Sequence, residues 1–560
     1  MSNQSPGGLG FLHKSHITAE PGFNRWRVPP ASIAIHLCIG SVYAWSVFNP
    51  PLTRELGVVA SSANDWSLGS VVWIFSVAIV FLGLAAAFAG KWLEEVGPRM
   101  VGVVAALLWG GGFIVGSFGI SSHQLWLVYL GYGVLGGCGL GLGYVSPVST
   151  LIRWFPDRRG MATGMAIMGF GGGAMIAAPV KGWLLDFYET APTYLGAKDA
   201  VQTVVENGRV FAETAQGKIE VVIASAAQAA EFGGEAGAYA VGTGNTGAAQ
   251  TFMTLGIVYF VVMILAAFQY RVPAKDWAPA GWAPKPAASG LVTQNNVHID
   301  QALKTPQFWQ LWVMLCFNVT AGIGVIGVAK TMMSEIFGSV MPLVATAAFA
   351  STYVLMISVF NMVGRFFWAS TSDYIGRKAT YMCFFVLGTV LYLSIPYFAS
   401  AAAANPSLLY LGGFYLATIP AYLADMFGTM HVGGIHGRLL TAWSTAGVLG
   451  PLAITSLRRM SVNSAVQDLA ARIDPAAFAE KFGAPVAQLD QLVAAKTVTI
   501  ARLMEIAPAG TLDPTPSLYN TTMYCMAALL AAAFFANLAM RPVKEHHHHD
   551  EPELQAVPGE

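Results

Sequence analysis

About twelve segments of this chain are dominated by apolar side chains over roughly 20 residues each. A helix of that length crosses the hydrocarbon core of a bilayer, and it satisfies its own backbone hydrogen bonds where water is absent. Only 11% of the 560 residues are charged, whereas an ordinary soluble protein has about 25%. The sequence therefore predicts an all-α membrane protein with twelve transmembrane helices, in contact with the lipid bilayer.

Lysine and arginine residues follow the even-numbered spans, whereas the connections after spans three and nine carry none. We place the spans at 28–48, 67–90, 99–119, 124–151, 162–184, 251–270, 308–329, 343–369, 379–399, 406–427, 438–457 and 517–540. Positive residues stay on the cytoplasmic side. Both termini are therefore predicted to lie in the cytoplasm, at the inner membrane of a bacterium.

The second half of the chain repeats the first. The segment Gly90–Arg99 follows span two, and a similar segment, Ala369–Lys378, follows span eight. Transporters are often built from such repeats, with the substrate bound between them near the membrane midplane. We divide the chain into a cytoplasmic tail (1–27), a six-helix half (28–270), a cytoplasmic linker (271–306), a second six-helix half (307–540) and a cytoplasmic tail (541–560).

Two long insertions interrupt this pattern at equivalent positions of the two halves, at 187–250 and at 458–516. Both are predicted to lie outside the cell. Asn207-Gly208 predicts a hairpin in the first insertion, and Pro475 and the stretch 486–506 predict helices in the second. The two insertions either form a small external cap or are decorative loops, and we favour the loops.

Arg365 is the most informative polar residue in the predicted spans. It lies near the end of the apolar run Ala345–Ala369, and a charge at the centre of a membrane helix costs roughly 2.5–3.5 kcal/mol. Asn361 precedes it by four residues, on the same helical face. Because an arginine can bind a carboxylate with two parallel hydrogen bonds, the pair predicts a receptor for a small carboxylate. The alternative is that Arg365 extends to the lipid headgroups.

Several motifs resemble those of a known family. The loops Gly90–Arg99 and Asp373–Lys378 are similar to the signature loop of the major facilitator superfamily. Within it, Gly40–Phe48, Trp154–Gly160 and Asn318–Gly324 resemble the oxalate:formate antiporter family, which is close to the monocarboxylate transporters. The resemblance implies a secondary active transporter that moves small organic anions by alternating access.

The resemblance also implies roles for individual residues. Arg365 corresponds to the carboxylate-binding arginine of span eight, and Asn361 stands where the bacterial lactate-transporting relatives have asparagine. Tyr144 is similar to a tyrosine that contacts substrate, and Tyr43 and Tyr415 are weaker matches. All of these residues are expected to bind the substrate.

Trp443 departs from the family pattern, because oxalate carriers have a lysine in this stretch of span eleven. With a single cation in its site, the chain is predicted to carry a monocarboxylate such as lactate, pyruvate, glycolate or formate. Trp443 would then form a wall of the substrate site. Oxalate is not excluded, because a protonated His36 could supply a second cation.

His36 is a candidate for carrying a coupling proton, because histidine titrates near neutral pH. The alternative is a neutral histidine that is hydrogen-bonded within the helix bundle. The coupling is therefore either proton symport or anion exchange. Two further interpretations stay open: a strict oxalate:formate antiporter, and a membrane sensor that binds the anion without moving it.

The loops after spans two, four and eight contain charged residues that are expected to form cytoplasmic ion pairs. These pairs would stabilise the outward-open shape and break when the halves rock. The residues are Glu94, Arg99, Arg158, Asp373 and Arg377. The zero net charge argues against a nucleic-acid partner. We also expect a monomer with no catalytic residues, no cofactor and no metal site.

Overall fold

A computed structural model gives the fold of the chain. It describes residues 10–544 and 548–549, apart from 198, 207–208, 215–216, 225–228, 230–233, 275–276, 283–295, 338–346, 405–431, 483, 495–497 and 499. Within this part of the chain, ten helical stretches are long and apolar enough to cross a membrane. Predicted span ten, 406–427, lies outside the described residues.

The long helices follow the predicted spans closely. They are α1 (Val28–Gly40), α2 (Leu68–Val96), α3 (Pro98–Ser121), α4 (Gly137–Trp154), α5 (Arg159–Tyr188), α6 (Ala248–Gln269), α7 (Pro306–Phe337), α8 (Ala347–Ile375), α9 (Arg377–Ala404), α10 (Val432–Ala470) and α11 (Asn520–Leu538). Helices α10 and α11 therefore correspond to predicted spans eleven and twelve.

Span one changes its helical form halfway along. After α1 the chain continues as a 3-10 helix, Ser41–Phe48, and then as a short α-helix, Asn49–Thr53. Pro50 and Pro51 have no N–H to donate back into an α-helix. The carbonyl of Ser46 accepts instead from the N–H of Asn49, three residues on, which is the tighter 3-10 pattern. Within the 3-10 segment, Ala44 has non-helical backbone angles.

Span four begins with the helical turn Leu125–Val128 and a π-helix, Tyr129–Gly136, before α4. Its glycines allow close packing on α2. A Cβ atom at Gly141 would lie 2.2 Å from the carbonyl oxygen of Leu82, and one at Gly137 would lie 2.6 Å from that of Ala78. Small residues allow membrane helices to approach closely. These glycines therefore pack helices and form no phosphate-binding loop.

The first insertion is a folded unit. Its strands are β1 (Tyr194–Gly196), β2 (Thr203–Glu206), β3 (Arg209–Thr214), β4 (Gly217–Ala224) and β5 (Gly237–Ala240), in an antiparallel sheet of order β1-β5-β4-β3-β2. The predicted hairpin is confirmed, because Glu206 pairs with Arg209. Val222 and Tyr239 pack on Val59. The sheet is thus attached to the connection between the first two spans, and is not an irregular loop.

The second insertion is helical. Helix α10 continues well past residue 457, where we predicted the span to end, and stops at Ala470. The helix predicted to start at Pro475 is confirmed, and Asp474 caps it by accepting the N–H of Ala476 at 2.7 Å. The helix predicted over 486–506 is wrong as one element. It is a 3-10 turn, Val486–Gln488, and two short helices, Leu489–Ala494 and Ile500–Met504.

This second unit is attached to the C-terminal half through Glu335 of α7. Its carboxylate pairs with Arg458, on the extension of α10, and accepts the hydroxyl of Tyr519 at 2.6 Å. A 3-10 turn, Thr515–Ser517, leads from the insertion into α11. Each insertion is therefore anchored to its own half of the molecule.

Short elements surround the helices at the end that we predict to be cytoplasmic. The N-terminal segment contains 3-10 helices at Gly10–Leu12, Lys14–His16 and Arg25–Arg27. Thr18 forms a β-bridge with Val272, beyond the end of α6. The linker contains β6 (Asn296–Val297), which pairs with β7 (His548–His549) of the tail, and a helical turn, Ile299–Ala302. Both predicted tails thus contain ordered segments.

Candidate functional site

Arg365 and Asn361 lie one turn apart on α8 and are both buried, with 3% and 8% of their surface exposed. The Nε–H of Arg365 donates to Oδ1 of Asn361 at 2.7 Å. The guanidinium group lies 5.7 Å from the ring centre of Phe170, on α5 of the other half. Arg365 is therefore directed toward the interface between the halves, and does not extend to the lipid headgroups.

Two of the predicted tyrosines meet this arginine. Tyr43, in the 3-10 segment of span one, and Tyr144, on α4, both lie close enough to the guanidinium group to interact with it electrostatically, and both pack on Phe170 beside it. Tyr415, the third predicted tyrosine, lies outside the described residues. Tyr43 thus approaches Arg365 from span one, whereas Tyr144 approaches it from span four.

Trp443 and Phe170 complete an aromatic enclosure beside Arg365. The ring centres of Tyr144 and Trp443 are 5.3 Å apart, and those of Phe170 and Trp443 are 5.7 Å apart. Phe170 also contacts both tyrosines, at 5.0 Å from Tyr43 and 5.2 Å from Tyr144. The indole N–H of Trp443 has no acceptor among the described residues. The enclosure therefore combines apolar walls with a few polar groups, as small-molecule sites commonly do.

Phe170 was not among the residues that we predicted. It lies in the glycine-rich run Gly169–Gly173. Gly171 explains why α5 and α8 come so close: a Cβ atom there would lie 2.6 Å from Oδ1 of Asn361 and 3.2 Å from Nε of Arg365. A lone aromatic residue among glycines of a membrane helix was the signal that could have identified this wall.

His36 is fully buried on α1, next to the enclosure. Its Nδ1 contacts the carbonyl oxygen of Ala166, on α5, and its Nε2 lies 3.2 Å from the carbonyl oxygen of Tyr144, on α4. Both neighbours are acceptors. A neutral imidazole can donate to only one of them, whereas a protonated ring can donate to both. The protonation state of His36 thus determines whether its imidazole donates one or two hydrogen bonds to α4 and α5.

The predicted cytoplasmic ends of the halves meet at Asp373. Its two carboxylate oxygens accept the backbone N–H groups of Gly160 (2.8 Å) and Met161 (3.0 Å), in the first turn of α5. Arg377 pairs with the same carboxylate at 2.6 Å. The first N–H groups of a helix lack partners within the helix and favour a negative charge. An acid from one half therefore caps a helix of the other half and closes this end of the interface.

The other residues of the predicted ion-pair loops are arranged differently. Arg99 donates to the backbone carbonyls of Phe11, Phe268 and Tyr270 instead of pairing with a carboxylate. The backbone carbonyl of Glu94 accepts from Lys14 at 2.6 Å. Arg158 directly precedes α5, and its carbonyl accepts from Ala162 at 3.0 Å. Asp373 and Arg377 form an ion pair with each other.

A second buried cation was also missed. Lys181 of α5, which was not among the predicted site residues, is fully buried. It follows Gly171 by ten residues on the same helix, which is about 15 Å along the axis at 1.5 Å per residue. A ligand as short as oxalate cannot bridge that separation. Lys181 therefore does not serve as the second cation of the Arg365 site.

Comparisons with known proteins agree with this fold. Residues 31–197 match the model of the Major Facilitator Superfamily. The E. coli transporter FucP, solved in the outward conformation, aligns with 91% of this chain and 98% of its own at 12% identity, with a TM-score of 0.52. The chain thus has the fold of the major facilitator transporters, and its long apolar helices indicate an integral, multi-pass membrane protein.

The chain is also similar in sequence to carriers of small carboxylates. It is 25% identical to the oxalate:formate antiporter of Oxalobacter formigenes, over 76% of this chain and 83% of that protein. It is 24% identical to apicoplast pyruvate carrier 1 of Toxoplasma gondii, over 72% of this chain and 78% of that protein. These relatives match the family resemblance seen in the sequence motifs.

Proposed function

We propose that this protein is a secondary active transporter that carries small monocarboxylate anions by alternating access. The observation that supports it is the position of Arg365, buried between the halves inside an aromatic enclosure. Because its Nε is held by Asn361, the terminal amino groups are left for the tyrosines and for a carboxylate. An arginine in a largely dry site binds a carboxylate strongly, through charge-assisted hydrogen bonds.

The enclosure fits a substrate with one charged end and a short carbon chain. Arg365, Asn361, Tyr43 and Tyr144 would bind the carboxylate, and the indole N–H of Trp443, which has no acceptor in the described part of the chain, offers a further donor. Phe170 and the ring of Trp443 would cover the carbon atoms. Lactate, pyruvate, glycolate and formate all have this shape. Tyr415 stays a proposed contact from span ten.

Strict exchange of oxalate for formate is the second candidate. It is supported by the similarity to the antiporter of Oxalobacter formigenes, which covers 83% of that protein. Oxalate has a charge at each end and needs two nearby cations. A protonated His36, which contacts the backbone of Tyr144, would be the second cation.

We further propose that His36 carries the coupling proton if transport is proton-driven. A proton entering with the anion would offset the charge of the substrate. The protonated imidazole would also donate a second hydrogen bond, because both of its ring nitrogens face backbone carbonyl oxygens. In this proposal the protein is a monomer in a bacterial inner membrane, and both termini face the cytoplasm.

The test is uptake of labelled lactate into proteoliposomes, with oxalate, formate, pyruvate and glycolate as competitors. Uptake is measured with and without a pH gradient, and with and without internal anion. We expect gradient-driven uptake of a monocarboxylate. Uptake that needs internal anion and is inhibited best by oxalate would support the antiporter instead. Saturable binding without flux would indicate a sensor.

The variant Arg365→Lys tests the site itself. Lysine keeps the charge but lacks the planar fork of arginine, so we expect at least a tenfold loss of uptake, or roughly 1.4 kcal/mol or more of lost binding. Arg438→Lys is the control, because Arg438 pairs with Asp300 of the linker, away from the enclosure. Equal uptake by wild type and Arg365→Lys, at equal amounts of inserted protein, would contradict the proposed site.

A further inference from the structure

Lys181 is a fully buried cation that the proposed function does not use. Its ammonium group donates to the backbone carbonyls of Ser41 (2.8 Å) and Ala44 (3.3 Å), and it lies 4.7 Å from the ring centre of Phe48. All three residues belong to the 3-10 segment of span one. A buried lysine is costly unless hydrogen bonds and nearby π-electrons compensate for the lost water.

The two carbonyls flank one residue of the proposed site. Tyr43 lies between Ser41 and Ala44 in the chain, and its ring packs on Phe170, over which the guanidinium group of Arg365 also lies. We propose that Lys181 is a positioning residue of the carboxylate site: it holds the bent segment of span one so that Tyr43 faces Arg365. This inference rests on the proposed function.

Helix α5 supports the segment along one face. Phe170 contacts the ring of Tyr43, and Ala174 and Ala177 pack against Ala44. Lys181 follows at the next turn of this face, since residues three or four apart are neighbours on a helix. The packing of the alanines fixes the distance between α5 and span one, and among the described side chains of α5 it is Lys181 that donates hydrogen bonds to the carbonyls of this segment.

The hydrogen bonds of Lys181 are needed because this segment is a weak helix. Ala44 has non-helical backbone angles, and the prolines that follow provide no N–H groups. An irregular backbone inside a membrane is tolerated when buried side chains satisfy its polar groups. Without the ammonium group, the carbonyls of Ser41 and Ala44 lose their hydrogen bonds to α5. The segment can then change its orientation, and Tyr43 is no longer held toward Arg365.

The test is a double-mutant cycle on the KM for lactate, or for the best substrate of the wild type. Lys181→Met removes the donors but keeps an unbranched side chain, and we expect KM to rise about tenfold. Tyr43→Phe alone should also raise KM. In the Tyr43→Phe background, Lys181→Met should add little, because the two changes disable the same contact. Effects that multiply fully would overturn the proposal.

Lys378→Met is the matched control, because Lys378 also donates to two backbone carbonyls, those of Leu538 and Met540, away from the site. It should leave KM unchanged.

If Lys181→Met does not accumulate in the membrane, Lys181→Gln replaces it, since the amide keeps one donor group. The KM of the Lys181→Gln variant should rise less than tenfold, and its effect should stay non-additive with that of Tyr43→Phe.

A second measurement does not depend on transport. Hydrogen–deuterium exchange of the amides in 41–48 is compared between purified wild type and Lys181→Met. We expect faster exchange in the variant, confined to this segment. Unchanged exchange would overturn the positioning role even in a protein that carries the anion. A wild type that takes up no carboxylate would refute the proposed function, while the exchange data would still report on Lys181.

Discussion

Oδ1 of Asn361 accepts the Nε–H of Arg365 at 2.7 Å, and both side chains are buried on the same face of α8. The amide orients the guanidinium group without changing its charge. A carboxylate at position 361 would accept the same hydrogen bond but would neutralise the cation. The charge available to a substrate therefore depends on this one asparagine.

We accordingly expect Asn361→Asp to weaken the binding of a monocarboxylate at neutral pH. The new carboxylate competes with the substrate for Arg365, so KM should rise at least about tenfold. Lowering the pH protonates the aspartate, and KM should then fall back toward the wild-type value. The measurement is KM as a function of pH in both proteins. A parallel pH dependence in the two would contradict this view of the pair.

Gly171 is predicted to tolerate no side chain. A methyl group at this position would lie 2.6 Å from Oδ1 of Asn361, so Gly171→Ala should displace the amide and raise KM severalfold or more. Gly182→Ala, on the same helix, is the control, because a Cβ atom there meets nothing within 4 Å. Similar KM values in the two variants would contradict this prediction, since they would show that α5 and α8 can separate beside Gly171 and Asn361 without loss of affinity.

Trp443 determines whether the site favours one negative charge or two. Trp443→Lys would introduce an ammonium group into the enclosure that contains Arg365, and inhibition of uptake by oxalate should become stronger by about tenfold. Trp443→Ala removes the ring without adding charge and should not strengthen oxalate binding. An unchanged inhibition constant for oxalate in Trp443→Lys would indicate that this side chain does not face the substrate.

Asp373 is expected to affect turnover more than affinity. Asp373→Asn removes one acceptor and the charge that pairs with Arg377, so the contact with the first turn of α5 should weaken and the cytoplasmic end should open more often. Spin labels on Trp26 and Tyr374, which are both exposed, would report a longer mean distance. Asp300→Asn, which breaks a pair between the linker and α10, should not lengthen it.

The apolar pattern was sufficient to predict the membrane helices, because helix length in a bilayer is set by thickness and composition. The same pattern could not show that span one bends at Ala44. The bend accompanies the missing N–H groups of Pro50 and Pro51 and the hydrogen bonds from Lys181 of another span. Lys181 was not predicted to be buried, because a lysine near the end of a membrane helix usually reaches the headgroups.

The candidate site was predicted in part for a similar reason. Arg365 and Asn361 are polar residues on one helical face, which a sequence can show. Phe170 and Gly171 are apolar, and they acquire a role only through the approach of α5 to α8 across the interface. The loop residue Arg99 likewise has carbonyl partners, and no sequence pattern predicts backbone acceptors from two separate segments.

The two insertions are attached to different halves of the molecule. The five-stranded sheet packs on Val59, beside the first span, whereas Glu335 joins the second insertion to α7 and α11. In the proposed alternating-access cycle the halves rock, so these two units would move apart or together, and the gap between them would be a gauge of that cycle on the face that we predict to be external. A rigid binder that spanned both units would stop the carrier in one state without entering its substrate site.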